Sequence, residues 1–212
     1  MGSEAAGGLT RLIIKDPVFL NNKAPPNSYQ LTRELVENGK AMFRLKEIAL
    51  QGIGLNKNDL IQIAEFCNIV QTLRSVNISN NGLNMADFVS MFEILKPQTY
   101  NITKLNLAWN TLADLNIPPE VKESFRVKFA DFLRYSRTLQ HIDLSGMGFS
   151  EETLQFITLR GFRKSKTLLA VHMSGNFDNL DLLVKFRQWM KVVETNRKVS
   201  RDANFAKDLT VS

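Results

Sequence analysis

The sequence predicts an α/β solenoid, a short horseshoe with parallel strands on the concave face and helices on the convex face. Three observations predict it. A short phrase, apolar-x-x-apolar-x-apolar, recurs along the chain, its best copies start 28 or 29 residues apart, and the stretches between them change to helical spacing. The phrase puts alternate residues on one side of a short strand, because strand side chains alternate with period two. Each unit is therefore strand, turn and helix, and none can bury its apolar face without a stacked neighbour.

Taken in order, the first copy is the loosest: Leu9, Leu12, Ile14, Pro17 and Phe19. A loop through Asn21–Pro26 follows, then a helix opened by Ser28 and running to about Phe43, so that residues 1–44 read as an N-terminal cap holding one degenerate repeat. The second copy is Leu45, Ile48, Leu50, Ile53 and Leu55, with its helix carried by Leu60, Ile63, Ala64 and Cys67. The two sharpest copies come next, Leu73, Val76, Ile78, Asn81, Leu83 and Ile102, Leu105, Leu107, Asn110, Leu112. The helix between them rests on Met85, Phe88, Val89 and Phe92.

The interval from Ile102 to Leu139 is 37 residues, longer than the period, and the surplus contains Asn116, Pro118 and Pro119. Proline opens helices well, and Val121, Phe125, Phe129, Phe132 and Leu133 form one stripe after it, with Lys122, Arg126 and Arg134 expected around the other side. The lengthened loop at 113–120 is a partner-contact candidate, since insertions in repeat arrays lie on the surface. Two copies remain: Leu139, Ile142, Leu144, Met147, Phe149, with a helix through Leu154, Ile157 and Phe162, and then Leu168, Val171, Met173, Asn176. Residues 179–194 read as a capping helix whose Leu182, Phe186, Trp189, Met190 and Val193 close the open core, and 195–212 as a flexible polar tail.

The Asn at 81, 110 and 176 stands eight residues after the first apolar residue of its copy, where the chain leaves the strand. Its amide is expected to bond backbone groups that no ladder satisfies. On this period and this Asn, residues 45–178 resemble the ribonuclease-inhibitor-like class of leucine-rich repeats. Ile53 and Met147 stand where the class has Asn or Cys, so their turns need another source of bonding. The resemblance implies an architecture, and its members bind unrelated partners.

Composition narrows the function classes. Cys67 is the single cysteine, which rules out a disulfide within the chain and points to an intracellular, reducing compartment, cytoplasmic or cytoskeletal. No apolar stretch approaches the roughly 20 residues that cross a bilayer, and Met1–Gly8 has no basic-then-apolar signal pattern. The net charge of +6 is uneven: residues 1–120 hold 11 Lys and Arg against 11 Asp and Glu, and residues 121–212 hold 16 against 10. That asymmetry predicts a partner with an acidic surface, an acidic protein or a polymer such as tubulin or actin. Nucleic acid is disfavoured, because nearly every Phe falls on a core stripe rather than among exposed cations.

No nucleophile and base, metal cluster or phosphate loop is legible, so no catalytic, cofactor or metal residue is assigned and no small-molecule substrate is expected. His141 and His172 flank neighbouring strands without a supporting Cys or carboxylate set. Binding then falls to the strand residues that face away from the core: Glu47, Gln51, Asn77, Lys104, Asn106, His141, Asp143 and His172, joined by Trp109 at a strand exit and by Lys122, Arg126 and Arg134. The function expected is a non-catalytic protein-interaction or scaffolding subunit of a larger intracellular assembly, cytoskeletal or ciliary. The alternative is a regulator of an enzyme, an inhibitor or a GTPase activator using Arg160 and Arg163.

Overall fold

The computed structural model describes residues 8–15, 28–95, 101–112, 117–177 and 179–198. Six strands, β1 (Arg11–Lys15), β2 (Glu47–Gln51), β3 (Ser75–Asn77), β4 (Lys104–Asn106), β5 (His141–Asp143) and β6 (Ala170–His172), form one parallel sheet in chain order. A helix follows each: α1 (Ser28–Asn38), α2 (Lys57–Ile69), α3 (Met85–Ile94), α4 (Pro119–Tyr135), α5 (Glu151–Ile157) and α6 (Leu180–Lys198). The middle apolar residue of every copy is paired in one register, Leu12, Ile48, Val76, Leu105, Ile142 and Val171. Even the loose first copy therefore joins the sheet in step. Its Pro17 and Phe19, and the loop through Asn21–Pro26, lie outside the described residues, as do 113–116 of the insertion and 199–212 of the tail.

The core lies between the sheet and the helical layer and is continuous from Leu35 to Met190. Its densest part is aromatic. Phe92 of α3 stands 5.0 Å from Phe129 and 4.9 Å from Phe132 of α4, ring centre to ring centre, and Phe125 reaches on to Phe149 at 6.3 Å. Buried aromatic pairs of this kind add about 0.5–1.5 kcal/mol each beyond their area, which ties the long helix firmly to its neighbours.

Two helices depart from the expected spans for visible reasons. The first α-helix stops at Asn38 and tightens into a 3₁₀ turn, Gly39–Ala41, because Gly39 is pressed against α2, where a Cβ would come within 3.3 Å of Ile69. The chain then swings Phe43 out to solvent at 66% exposure. After α5, residues Thr158–Phe162 form a π-helical turn in which the Arg163 amide donates to the Thr158 carbonyl, five residues back. That extra residue explains why Ile157 and Phe162, five apart, both reach the core. Gly161 permits the turn to lie on α4, since a Cβ there would meet Leu133 at 2.9 Å. The last helix continues past residue 194 to Lys198, into the stretch that the sequence assigns to the tail.

Candidate interaction surfaces

Three repeats are bonded by the Asn of the repeat after them. Asn81 accepts from the amides of Ile53 and Leu55 and donates to the Leu50 carbonyl, all in the preceding repeat. Asn110 does the same for Asn81, Leu83 and Ile78, and Asn176 for Met147, Gly148 and Leu144. The turns at Ile53 and Met147, which lack an amide of their own, are thus satisfied from the next copy. Where Met147 replaces Asn, the turn it should serve falls back on the main chain, the Leu112 amide donating to the Met147 carbonyl at 2.9 Å. At the other end of the strands Thr72, Thr138 and Thr167 form a second series, their hydroxyls donating to the carbonyls of Leu45, Ile102 and Ser136. A Thr directly before the first apolar residue of three copies is the sequence signal for it.

The concave face presents the expected residues in rows. Glu47, Ser75, Lys104, His141 and Ala170 are register neighbours, followed by Ala49, Asn77, Asn106, Asp143 and His172. His141 and His172 are therefore two residues out of register, and Asp143 is the register partner of His172. Both imidazoles are half-buried. Asn77, Asn106 and Asp143 each accept from the amide two residues on, at Ser79, Ala108 and Ser145, so their side chains shape the strand exits. Glu47 is paired with Arg11 at 2.7 Å. Gln51 is half-buried opposite Lys15, and Lys104 projects into an open cleft of about 710 Å³ with Arg11, Lys46 and Arg74.

Arg126 is not an exposed cation as the helical wheel expects. It is 6% exposed between α4 and α5, donating through Nη1 and Nη2 to the two carboxylate oxygens of Glu152 at 2.7 and 2.9 Å and through Nε to Thr153 at 3.0 Å. The hydrogen bond from Arg126 first, and its charge second, hold the Glu152 carboxyl below its ordinary range. Arg126 belongs to the packing of the helical layer. Lys122, one turn earlier, is half-buried, while Arg134 is exposed and lies over the Tyr135 ring at 5.0 Å.

Trp109 combines exposure with fixed geometry. It is 61% exposed, yet its backbone sits at φ 59°, a left-handed conformation unusual for a bulky residue. The equivalent residue of every other copy from the second onward is also left-handed: Gly52, Asn80, Gly146 and Gly175. The fold demands that conformation at the strand exit, and here alone in the series it is imposed on an aromatic. The indole lies on Gly146, where a Cβ would fall 2.3 Å from Cε3, and extends towards Gly175. It both covers the neighbouring turn and presents a broad apolar surface to solvent.

Cys67 is fully buried in α2, and desolvation pushes its thiol up to about 12, which suppresses the thiolate. Among the described residues no group of three His, Cys, Asp or Glu could hold a metal ion, and no helix is long and apolar enough to cross a membrane.

No family model and no curated protein matches the sequence. Among solved structures the fold is similar to a tropomodulin C-terminal domain from Caenorhabditis elegans, at a TM-score of 0.56 and 11% identity, over 80% of this chain and 97% of that one. It is also similar to a structure described as Leiomodin-1 Actin-Binding Site 2, at a TM-score of 0.59 and 14% identity, over 83% and 95%. At such identities the likeness establishes architecture. The fold is a leucine-rich-repeat solenoid of the ribonuclease-inhibitor-like kind.

Proposed function

We propose that this chain is a non-catalytic protein-interaction module, a scaffolding subunit of an intracellular assembly at the actin cytoskeleton. The observation that carries the reading is Trp109. A large aromatic held in a left-handed turn over two glycines costs backbone strain of about 1–2 kcal/mol, and strain kept on an exposed side chain points to contact rather than to stability. Aromatic anchors of this type dominate protein interfaces. The likeness to a domain described as an actin-binding site supports actin as the first partner to try.

Co-sedimentation with actin filaments tests it. The protein pellets with the filaments, and Trp109→Asn, which tolerates the left-handed turn, weakens binding at least about tenfold without lowering the unfolding midpoint. Equal binding by Trp109→Asn removes the indole from the interface. If native-source pulldown returns only a hydrolase whose turnover the protein changes, the module is a regulator of that enzyme instead.

A further inference from the structure

The structure redistributes the charge that the sequence assigns to the C-terminal half. The described residues of the helix-to-strand connections lie at one edge of the solenoid, and the sequence at 39–46, 70–74, 95–103, 136–140 and 163–169 contains no Asp or Glu. They contain cations from Lys40 and Lys46 through Arg74 and Arg137 to Lys164 and Lys166. The opposite edge is acidic, with Asp59, Asp87, Glu120, Glu151, Glu152 and Asp181 in the first turns of the helices. Charge is thus sorted across the molecule as well as along the chain.

Helix dipoles account for only part of the basic edge. Their effect on a side chain fades within the last turn, and it reaches Arg134 in the last turn of α4 and Lys40 in the 3₁₀ turn, whereas the last turns of α1, α2 and α3 carry no cation. The remaining edge cations, Lys46, Arg74, Arg137, Lys164 and Lys166, stand beyond, in the connections. Arg74 is used locally, its Nη1 donating to the carbonyls of Gln71 and Leu73. Among the described residues Lys46, Arg137, Lys164 and Lys166 have no carboxylate within ion-pair reach, whereas four of the six acids named on the opposite edge are engaged: Asp59 and Asp87 in capping boxes, Glu152 on Arg126, Glu151 on Lys185. That imbalance argues against a second copy as the partner.

We propose that this edge is a docking surface for an acidic protein, centred on a cleft of about 430 Å³ lined by Arg134, Tyr135, Arg137, Lys164 and Lys166. Tyr135 is 47% exposed and, under the Arg134 guanidinium, supplies the aromatic and arginine contacts that anchor interfaces. Phe43 and the neighbouring Arg44, 5.6 Å from ring centre to guanidinium, repeat the arrangement near the other end of the edge. Three repeats separate the two aromatics, about 25–30 Å at the usual spacing of packed helices. A nucleic acid would need stacking residues at consecutive bases, far closer than that, so a protein surface with scattered carboxylates fits better. The proposal rests on the reading of the chain as an interaction module and does not require that actin be the partner.

The test compares two triple variants of equal charge in the full chain. Arg137→Ser/Lys164→Ser/Lys166→Ser removes the edge, and Lys15→Ser/Lys57→Ser/Arg187→Ser removes exposed cations elsewhere. At low salt, poly-glutamate binding falls about tenfold in the edge variant and less than about twofold in the control, as loss of three surface ion pairs implies. Equal losses in both variants overturn the proposal, because net charge then suffices. Tighter binding of a 20-nucleotide oligo-dT than of poly-glutamate, lost in the edge variant, also overturns it. So does a wild-type dimer in sedimentation velocity that the edge variant abolishes. Actin filaments separate the two readings: no actin binding with the poly-glutamate pattern intact leaves the edge standing and removes actin, whereas undiminished actin binding by the edge variant removes the edge and leaves actin.

Discussion

Replacing Asn110 by Ala tests the inter-repeat bonding most directly. Asn110 is 1% exposed, and its amide makes four bonds: Oδ1 accepts from Asn81 and Leu83 at 3.0 and 3.2 Å, and Nδ2 donates to Leu107 and Ile78 at 2.7 and 3.2 Å. The Ile78 carbonyl keeps a second donor in Asn81 at 2.8 Å. Three backbone groups are therefore left short, the amides of 81 and 83 and the carbonyl of 107. At about 1–2 kcal/mol for each polar group left unsatisfied, the loss is about 3–6 kcal/mol, a large part of the roughly 5–15 kcal/mol that holds a domain of this size. Urea unfolding followed by far-UV dichroism measures it, with Asn77→Ala as the comparison because Asn77 makes one such bond, to Ser79. A loss below about 1 kcal/mol for Asn110→Ala, or one equal to that of Asn77→Ala, refutes the reasoning, since water would then be replacing the amide.

Three further outcomes follow from the same geometry. Gly146→Ala places a Cβ into the Trp109 ring at a φ of 63°, so it should cost about 2–4 kcal/mol and shift the Trp109 emission, with Trp109→Ala recovering part of the loss in a double-mutant cycle. Thr158 is fully buried and its Oγ1 has no hydrogen-bond partner, so Thr158→Val should raise stability by about 1–2 kcal/mol, read from the urea midpoint. Glu152 has a folded pKa below its ordinary 4.5, so its pairing with Arg126 stabilises the fold above that value and the benefit disappears as pH falls through the folded pKa. Acid unfolding should therefore show the gap between wild type and Glu152→Gln at its full size above about pH 4.5 and shrinking progressively below it, and a gap that does not change with pH contradicts the assignment.

The strands, helices and their order were legible because one apolar period repeats, and two copies that agree at five apolar sites and an Asn set the register for the rest. What stayed hidden depends on which residues of neighbouring copies meet. The spacing places Asn81 at a strand exit but cannot say that it serves the turn at Ile53. A helical wheel sends Arg126 outwards because it has no knowledge of Glu152 and Thr153 on the adjoining helix. Charge counted along the chain gave a basic C-terminal half, whereas the fold gathers Lys46 and Lys166 onto one edge from opposite ends of the array. The left-handed series at Gly52, Asn80, Trp109, Gly146 and Gly175 was present in the alignment of copies, and Trp109 in a column of Gly and Asn was a readable anomaly.

The backward reach of the asparagines gives the array a direction of dependence. The backbone of a turn depends on the copy that follows it, whereas only the side-chain amide of its own Asn depends on the copy before. During synthesis from the N-terminus, the turn at Ile53 is incomplete until Asn81 has emerged and folded against it. Shortening the chain from its C-terminal side would expose the amides of Met147 and Gly148 at once, whereas shortening it from the N-terminal side leaves every later turn bonded. Lengthening the horseshoe by design is unequal in the same sense: a copy added after the last strand must serve the turn at Asn176, by an Asn of its own or by a main-chain carbonyl as Met147 serves Leu112, and a copy added before the first has only to meet the edge of β1.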